Sequence, residues 1–121
     1  MGSFAGDHFL AELIKAVEVG AMSPNLTLLI SGAAVTGYLV PRREYLDTAR
    51  KYLQALPADA RTTVEQLLGT LEALPVSDPP MLLYLADAHI GNQSIGLMRI
   101  AIERVDGVSL QSVAPAHRAS P

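Results

Sequence analysis

Apolar positions in this chain recur at two periods, and the points where the period changes divide it into elements. From about Phe4 to Val19, the residues Phe9, Leu10, Leu13, Ile14 and Val17 return at three- and four-residue steps while Glu12, Lys15 and Glu18 fall elsewhere, which predicts a helix with one side to bury. Gly20 and Pro24 end it, one as a C-terminal cap and the other because it cannot continue the backbone ladder. The period then drops to two. Leu26, Leu28 and Ile30 take one side of an extended segment, with Thr27, Leu29 and Ser31 on the other. Ser31-Gly32 offers a turn, and a second strand is expected from Ala33 to Val40, with Val35 and Leu39 facing together and a bend at Gly37.

Helical spacing resumes after Pro41. Tyr45, Leu46, Ala49, Tyr52, Leu53 and Leu56 form one stripe, with Asp47 placed to support Lys51 one turn on. Pro57 opens a further helix whose stripe is Val64, Leu67, Leu68, Leu71 and Leu74, and "PVSDPP" from Pro75 to Pro80 closes the resulting helical hairpin. Strand character returns from Met81 to Ile90. "GNQSIG" from Gly91 to Gly96 reads as a turn, and in "LMRIAIERV" Met98, Ile100 and Ile102 alternate with Arg99, Ala101 and Glu103 as a half-exposed strand. Asp106-Gly107 supplies another turn before a last short strand holding Val108, Leu110 and Val113. The sum is an α+β fold: an N-terminal helix and five strands in a strongly bent antiparallel sheet or small open barrel, with a helical hairpin inserted at about 42–74 between the second and third strands. Residues 1–113 are expected to form one domain, with the helix covering an open end of the barrel, and "APAHRASP", 114–121, has too little apolar area to order itself.

Composition narrows the class. Half of the 121 residues are hydrophobic, 17% are charged and mean hydropathy is +0.27, which is apolar for a free monomer and places part of the surplus in subunit contacts. A net charge of −3 gives no general attraction to phosphate backbones or anionic lipid. The chain has no cysteine, which removes disulfides, thiolate metal sites and thiol nucleophiles together and fits a reducing compartment. Asp7 and His8 stand where a secretory signal needs a basic end and an apolar run, so a cytoplasmic location is expected. No charge falls between Val19 and Pro41, yet Pro24, Asn25, Gly32 and Gly37 interrupt that run and its apolar positions alternate, so strands are expected there and not a membrane span.

No motif carries recognisable chemistry, and neither a catalytic residue, a cofactor nor a metal is expected. His8, His89 and His117 are scattered, and none has a partner at metal-ligand spacing. Asp87 and His89 project from one face of a strand, without a nucleophile or third group beside them. Arg42, Arg43, Arg50 and Lys51 gather near the second helix, but Glu44 and Asp47 are interleaved, as on a salt-paired solvated face. Tyr45 and Tyr52 lie seven residues apart on one helix face with Leu53 beside them, and these three are the candidate interface toward another protein.

Two segments carry a family resemblance. "LTLLISGAAVTGYLVPRREYLD" and "LLYLADAHI" followed by "RIAIERVDGVSL" resemble the GvpU-type gas vesicle accessory proteins, with departures at Val108 and Gln111, where the family pattern has a phenylalanine and a glycine. The resemblance implies a non-enzymatic role in the assembly, clustering or spacing of gas vesicles, through self-association into homo-oligomers and contacts with shell proteins. The order of elements is also similar to the Sm-like fold, whose members join edge to edge into rings. That second likeness implies, as the alternative, an RNA-binding regulator or chaperone. Sm proteins hold RNA partly with an Arg-Gly pair, and "VDGVSL" has no arginine beside its glycine.

Overall fold

The computed structural model describes residues 5–20, 22–77 and 80–112; the expectations for the first residues, for Val113 and for the tail at 114–121 lie outside them. The elements run α1 (Ala5–Glu18), β1 (Asn25–Ile30), β2 (Ala33–Val40), α2 (Arg42–Tyr52), α3 (Ala58–Ala73), β3 (Leu82–Ile90), β4 (Gln93–Ala101) and β5 (Gly107–Ser112), with 3-10 turns at Leu53–Ala55 and Ile102–Arg104. This is the expected α+β architecture, and the two helices of the hairpin lie between β2 and β3. The five strands form one antiparallel sheet in the order β4-β3-β2-β1-β5, so β4 and β5 are its edges.

The sheet and α1 share the main core. Leu10, Leu13, Ile14 and Val17 of α1 pack against Leu26, Leu28, Val35, Leu39, Leu83, Leu85 and Ile100, which are the inward positions of strands with a two-residue period. Each full burial of such a side chain stabilises by about 1.5–3 kcal/mol. Phe9, expected on the buried stripe, instead leaves 43% of its surface in solvent at the margin of the helix face.

Glycine matters most at two places. Around the β1–β2 turn, Ser31 and Gly32 both have positive φ (51° and 84°), the conformation a two-residue hairpin needs to match the twist of its strands. Ser31 donates its N–H to Asp106 Oδ2 at 3.0 Å, and the Asp106 N–H bonds the Leu29 carbonyl at 2.7 Å, so one aspartate ties this turn to the start of β5. Gly37 lies where the β2–β3 register shifts between Thr36 and Tyr38. A Cβ there would come within 3.2 Å of the Ala86 carbonyl oxygen and 3.3 Å of Ala88 Cα, so it is the closeness of β3 that requires glycine.

Four further expectations need correction. The β3–β4 turn is confined to Gly91 and Asn92, and Gln93 to Gly96 already pair with β3 as an edge strand. β4 ends at Ala101, because the chain tightens into a 3-10 turn at Ile102 whose side chain still points inward at 8% exposure. α2 stops at Tyr52 and its last turn tightens through Leu53–Ala55, where Leu56 has already turned to an extended conformation ahead of Pro57. Asp47 pairs with Arg50 at 3.7 Å and not, as its spacing suggested, one residue further on.

Candidate functional site

The inserted hairpin lies across the face of the sheet that the main core does not use. Along β3 the burial alternates, so Leu83 and Leu85 enter the core while Leu82, Tyr84 and Ala86 point the other way. Tyr84 meets the ring of Tyr45 from α2 at a centroid distance of 4.8 Å and a tilt of 46°, an aromatic contact that seats the hairpin on the sheet. Leu46, Leu53 and Leu68 then form a second, smaller core between α2 and α3, with Val64 and Leu71 against it.

A charged clamp backs these apolar contacts. Arg50 reaches across to α3 and donates to Glu65 Oε1 at 2.9 Å and Glu72 Oε1 at 2.7 Å, with Asp47 on its own helix. Those carboxylates, Glu72 first, hold its guanidinium above its ordinary value. The start of α2 has a different support. Pro41, its N-cap, gives no side-chain bond, and Glu18 at the end of α1 accepts the Arg42 N–H at 2.8 Å, a carboxylate placed at a positive helix end.

The candidate interface residues are distributed by this packing. Tyr45 is half-buried under the hairpin and Leu53 is buried in the second core, while Tyr52 keeps 59% of its surface exposed at the end of α2, its hydroxyl close to Gly96 of β4. The structure brings Tyr45 and Leu53 into one hairpin but points only Tyr52 at solvent.

Between α1, the C-terminal end of α3 and the ends of β3 and β4 runs a cleft of about 730 Å³. Ile14, Leu71, Leu74, Leu82 and Ile102 give it an apolar body, and Arg42, Tyr84 and Arg99 form a polar side. Tyr84 and Arg99 are cross-strand partners in the β3–β4 register. Burial raises the Tyr84 hydroxyl above the ordinary phenol value, and the positive charges of Arg99 and Arg42 oppose that rise. Reading the sequence did not find this cleft, since its walls come from segments separated by most of the chain.

Asp87 and His89 stand elsewhere, beside a second hollow of about 430 Å³ lined with Asn25, Thr36 and Tyr38. Asp87 has a positive φ of 52°, in a stretch of β3 where the register to β4 shifts twice. His89 Nδ1 lies 2.9 Å from the Asp87 carbonyl oxygen, and because a carbonyl can only accept, that nitrogen is the donor. Among the described residues no three histidine or acidic side chains gather as a metal ion requires.

The sheet edges complete the surface. β4 carries Ile95 at 39% exposure and β5 carries Leu110 at 42%, and β5 has no charged residue in Gly107–Ser112. Among the described residues no helix is long and apolar enough to cross a membrane. Against known proteins, the family model described as "Gas vesicle protein GvpU-like" matches residues 7–113. No curated protein and no solved structure matches the chain, so the likeness to Sm proteins rests on the element order alone.

Proposed function

The chain belongs to the GvpU-like gas vesicle protein family, and from that premise we propose that it works without catalysis, by associating with itself and with the shell proteins of gas vesicles during their assembly or clustering. The accessory role follows from the family. The mode of action is supported above all by the two sheet edges: β4 and β5 offer backbone donors and acceptors beside exposed Ile95 and Leu110. Proteins that avoid strand addition place lysine, proline or a covering segment on such edges, and β5 has neither lysine nor proline. The exposed Tyr52 at the tip of α2 adds an aromatic contact point of the kind enriched at interfaces. The aromatic and apolar anchoring of the hairpin on the sheet leaves its outer side available to a partner while the edges join copies.

Light scattering after size exclusion at micromolar concentration is expected to give multimers, and Ile95→Lys with Leu110→Lys is expected to reduce them toward monomer. Co-flotation with purified gas vesicles is expected for the unchanged protein. A strict monomer that stays in the subnatant would overturn the reading. For the RNA-binding alternative, among the described residues Arg50 is held by three carboxylates and Arg42 and Arg99 line an apolar cleft, which takes these three cations away from a phosphate-binding surface.

A further inference from the structure

The geometry points to the cleft between α1, α3 and the ends of β3 and β4 as a binding site for an unbranched fatty carboxylate, with its head on Arg42, Arg99 and Tyr84 and its chain along the strand ends. The inference is independent of the self-association reading and needs no second copy. Its first support is the order of the walls. Tyr84 and Arg99 form one cross-strand pair; Leu82 and Ala101, two residues on and facing the same way, form another; and the Ile102 N–H donates to the Met81 carbonyl at 2.9 Å where the strands end. All six line the cleft. A polar rung therefore gives way to apolar ones along a single line, and from Tyr84 to Met81 is about 10 Å, the length of roughly eight carbons in an extended hydrocarbon. Leu71 and Leu74 of α3 continue the apolar wall.

Charge complementarity fixes the sign of the head. Among the described residues no carboxylate lies at ion-pair distance from the Arg42 or Arg99 guanidinium, so two cations with forked donors line the cleft and can take a carboxylate between them. The Tyr84 ring is held by Tyr45 at 4.8 Å, which keeps its hydroxyl in place as a third donor. Glu18, also on the wall, is engaged with the Arg42 N–H at 2.8 Å. The remaining titratable groups stand apart: His8 is ten residues, about 15 Å, along α1 from Glu18, and Glu103 follows the end of β4.

Size selects a small amphiphile over a helix of a protein partner. The cleft holds about 730 Å³, inside the range of about 300–1,000 Å³ usual for small-molecule sites. A three-turn helix about 10 Å across and 16 Å long would fill roughly 1,200 Å³. The apolar side also has surface to gain from being covered. Leu74, Val76 and Met81 all line the cleft and leave 52%, 46% and 65% of their surfaces exposed, so hydrocarbon laid against them removes its own area and theirs from water together. Each methylene buried there tightens binding about fourfold.

Titration calorimetry of the full chain with straight-chain fatty acids, each below its micellar concentration, tests the site. Affinity is expected to rise about fourfold per carbon from hexanoate to decanoate, and decanol, which lacks the charge, is expected to bind at least tenfold more weakly than decanoate. Arg42→Gln combined with Arg99→Gln is expected to remove that advantage while leaving decanol binding and the melting curve unchanged. Decanoate that gives no saturable binding overturns the site, as does decanol that binds the unchanged protein as tightly as decanoate. A double variant that keeps the full preference for decanoate overturns the assignment of the head. An apparent decanoate affinity that weakens as protein concentration rises would mean that a second copy fills the cleft, and the fatty-acid assignment then falls.

Discussion

Replacing Gly37 by alanine adds a single methyl group to the place where β2 and β3 come closest. That methyl would sit 3.2 Å from the Ala86 carbonyl oxygen, 3.3 Å from Ala88 Cα and 3.3 Å from Leu85 Cβ, and two of these three neighbours are backbone atoms that no rotamer change can move. Overpacking of this kind costs about 1–3 kcal/mol. Gly37 is not among the glycines with positive φ, so alanine meets no backbone strain and recovers about 0.4–1 kcal/mol by restricting the unfolded chain. The difference between the two is a loss of up to about 2.5 kcal/mol. At roughly 3–6 °C per kcal/mol for a domain of this length, Tm should fall by up to roughly 15 °C in a calorimetric or circular-dichroism melt. Gly69 supplies the control. It lies within α3, a Cβ there meets nothing within 4 Å, and the same substitution should raise helix stability by about 0.5–1 kcal/mol. If Gly37→Ala melts at or above the unchanged protein, the close approach of the strands is not what demands glycine, and the account of the bend fails.

Two further changes probe the hairpin and the cleft. Arg50→Met removes the donor shared by Glu65 and Glu72, and native-state hydrogen exchange should show α3 amides opening several-fold faster while the sheet amides keep their rates; adding salt to the unchanged protein should move α3 in the same direction. Uniform acceleration across the chain would mean that the clamp supports the whole fold and not the hairpin alone. Tyr84 favours its neutral phenol in the folded state, so its contribution to stability is complete below the ordinary phenol value near pH 10 and is lost as pH rises through the higher folded value. Alkaline denaturation should accordingly become less steep in Tyr84→Phe, and an unchanged profile would contradict the burial ascribed to this hydroxyl.

How much of this was legible beforehand differs from element to element. The hairpin at Ser31-Gly32 and the boundaries of β2 followed from a two-residue period broken by one glycine, because an inner strand with one buried face leaves that signature. Gln93 and Ser94 look like turn in the sequence because both sides of an edge strand meet solvent, and the alternation that marks a strand disappears there. Ile102 misled in the opposite sense: a 3-10 turn can still present its first residue inward, so the alternation ran on past the end of β4. For the candidate interface, the seven-residue spacing of Tyr45 and Tyr52 puts both on one face of α2. It carried no information about Tyr84, 39 positions further along, whose ring covers the first tyrosine and leaves the second open. The cleft with Arg42 and Arg99 was out of reach for the same reason, since pairings between distant segments leave no periodic trace in either.

The last strand in the chain returns to pair with the first, and this decides more than the shape of one molecule. It leaves β4 on one margin and β5 on the other, so the two margins are different surfaces and a chain of copies joined through them has a direction. Such a polar row needs one sound margin of each kind at every junction. A copy whose β5 margin is blocked but whose β4 margin is intact would dock once and admit no successor, acting as a terminator, so that a small dose of it mixed into unaltered protein would shorten the rows far out of proportion to its amount.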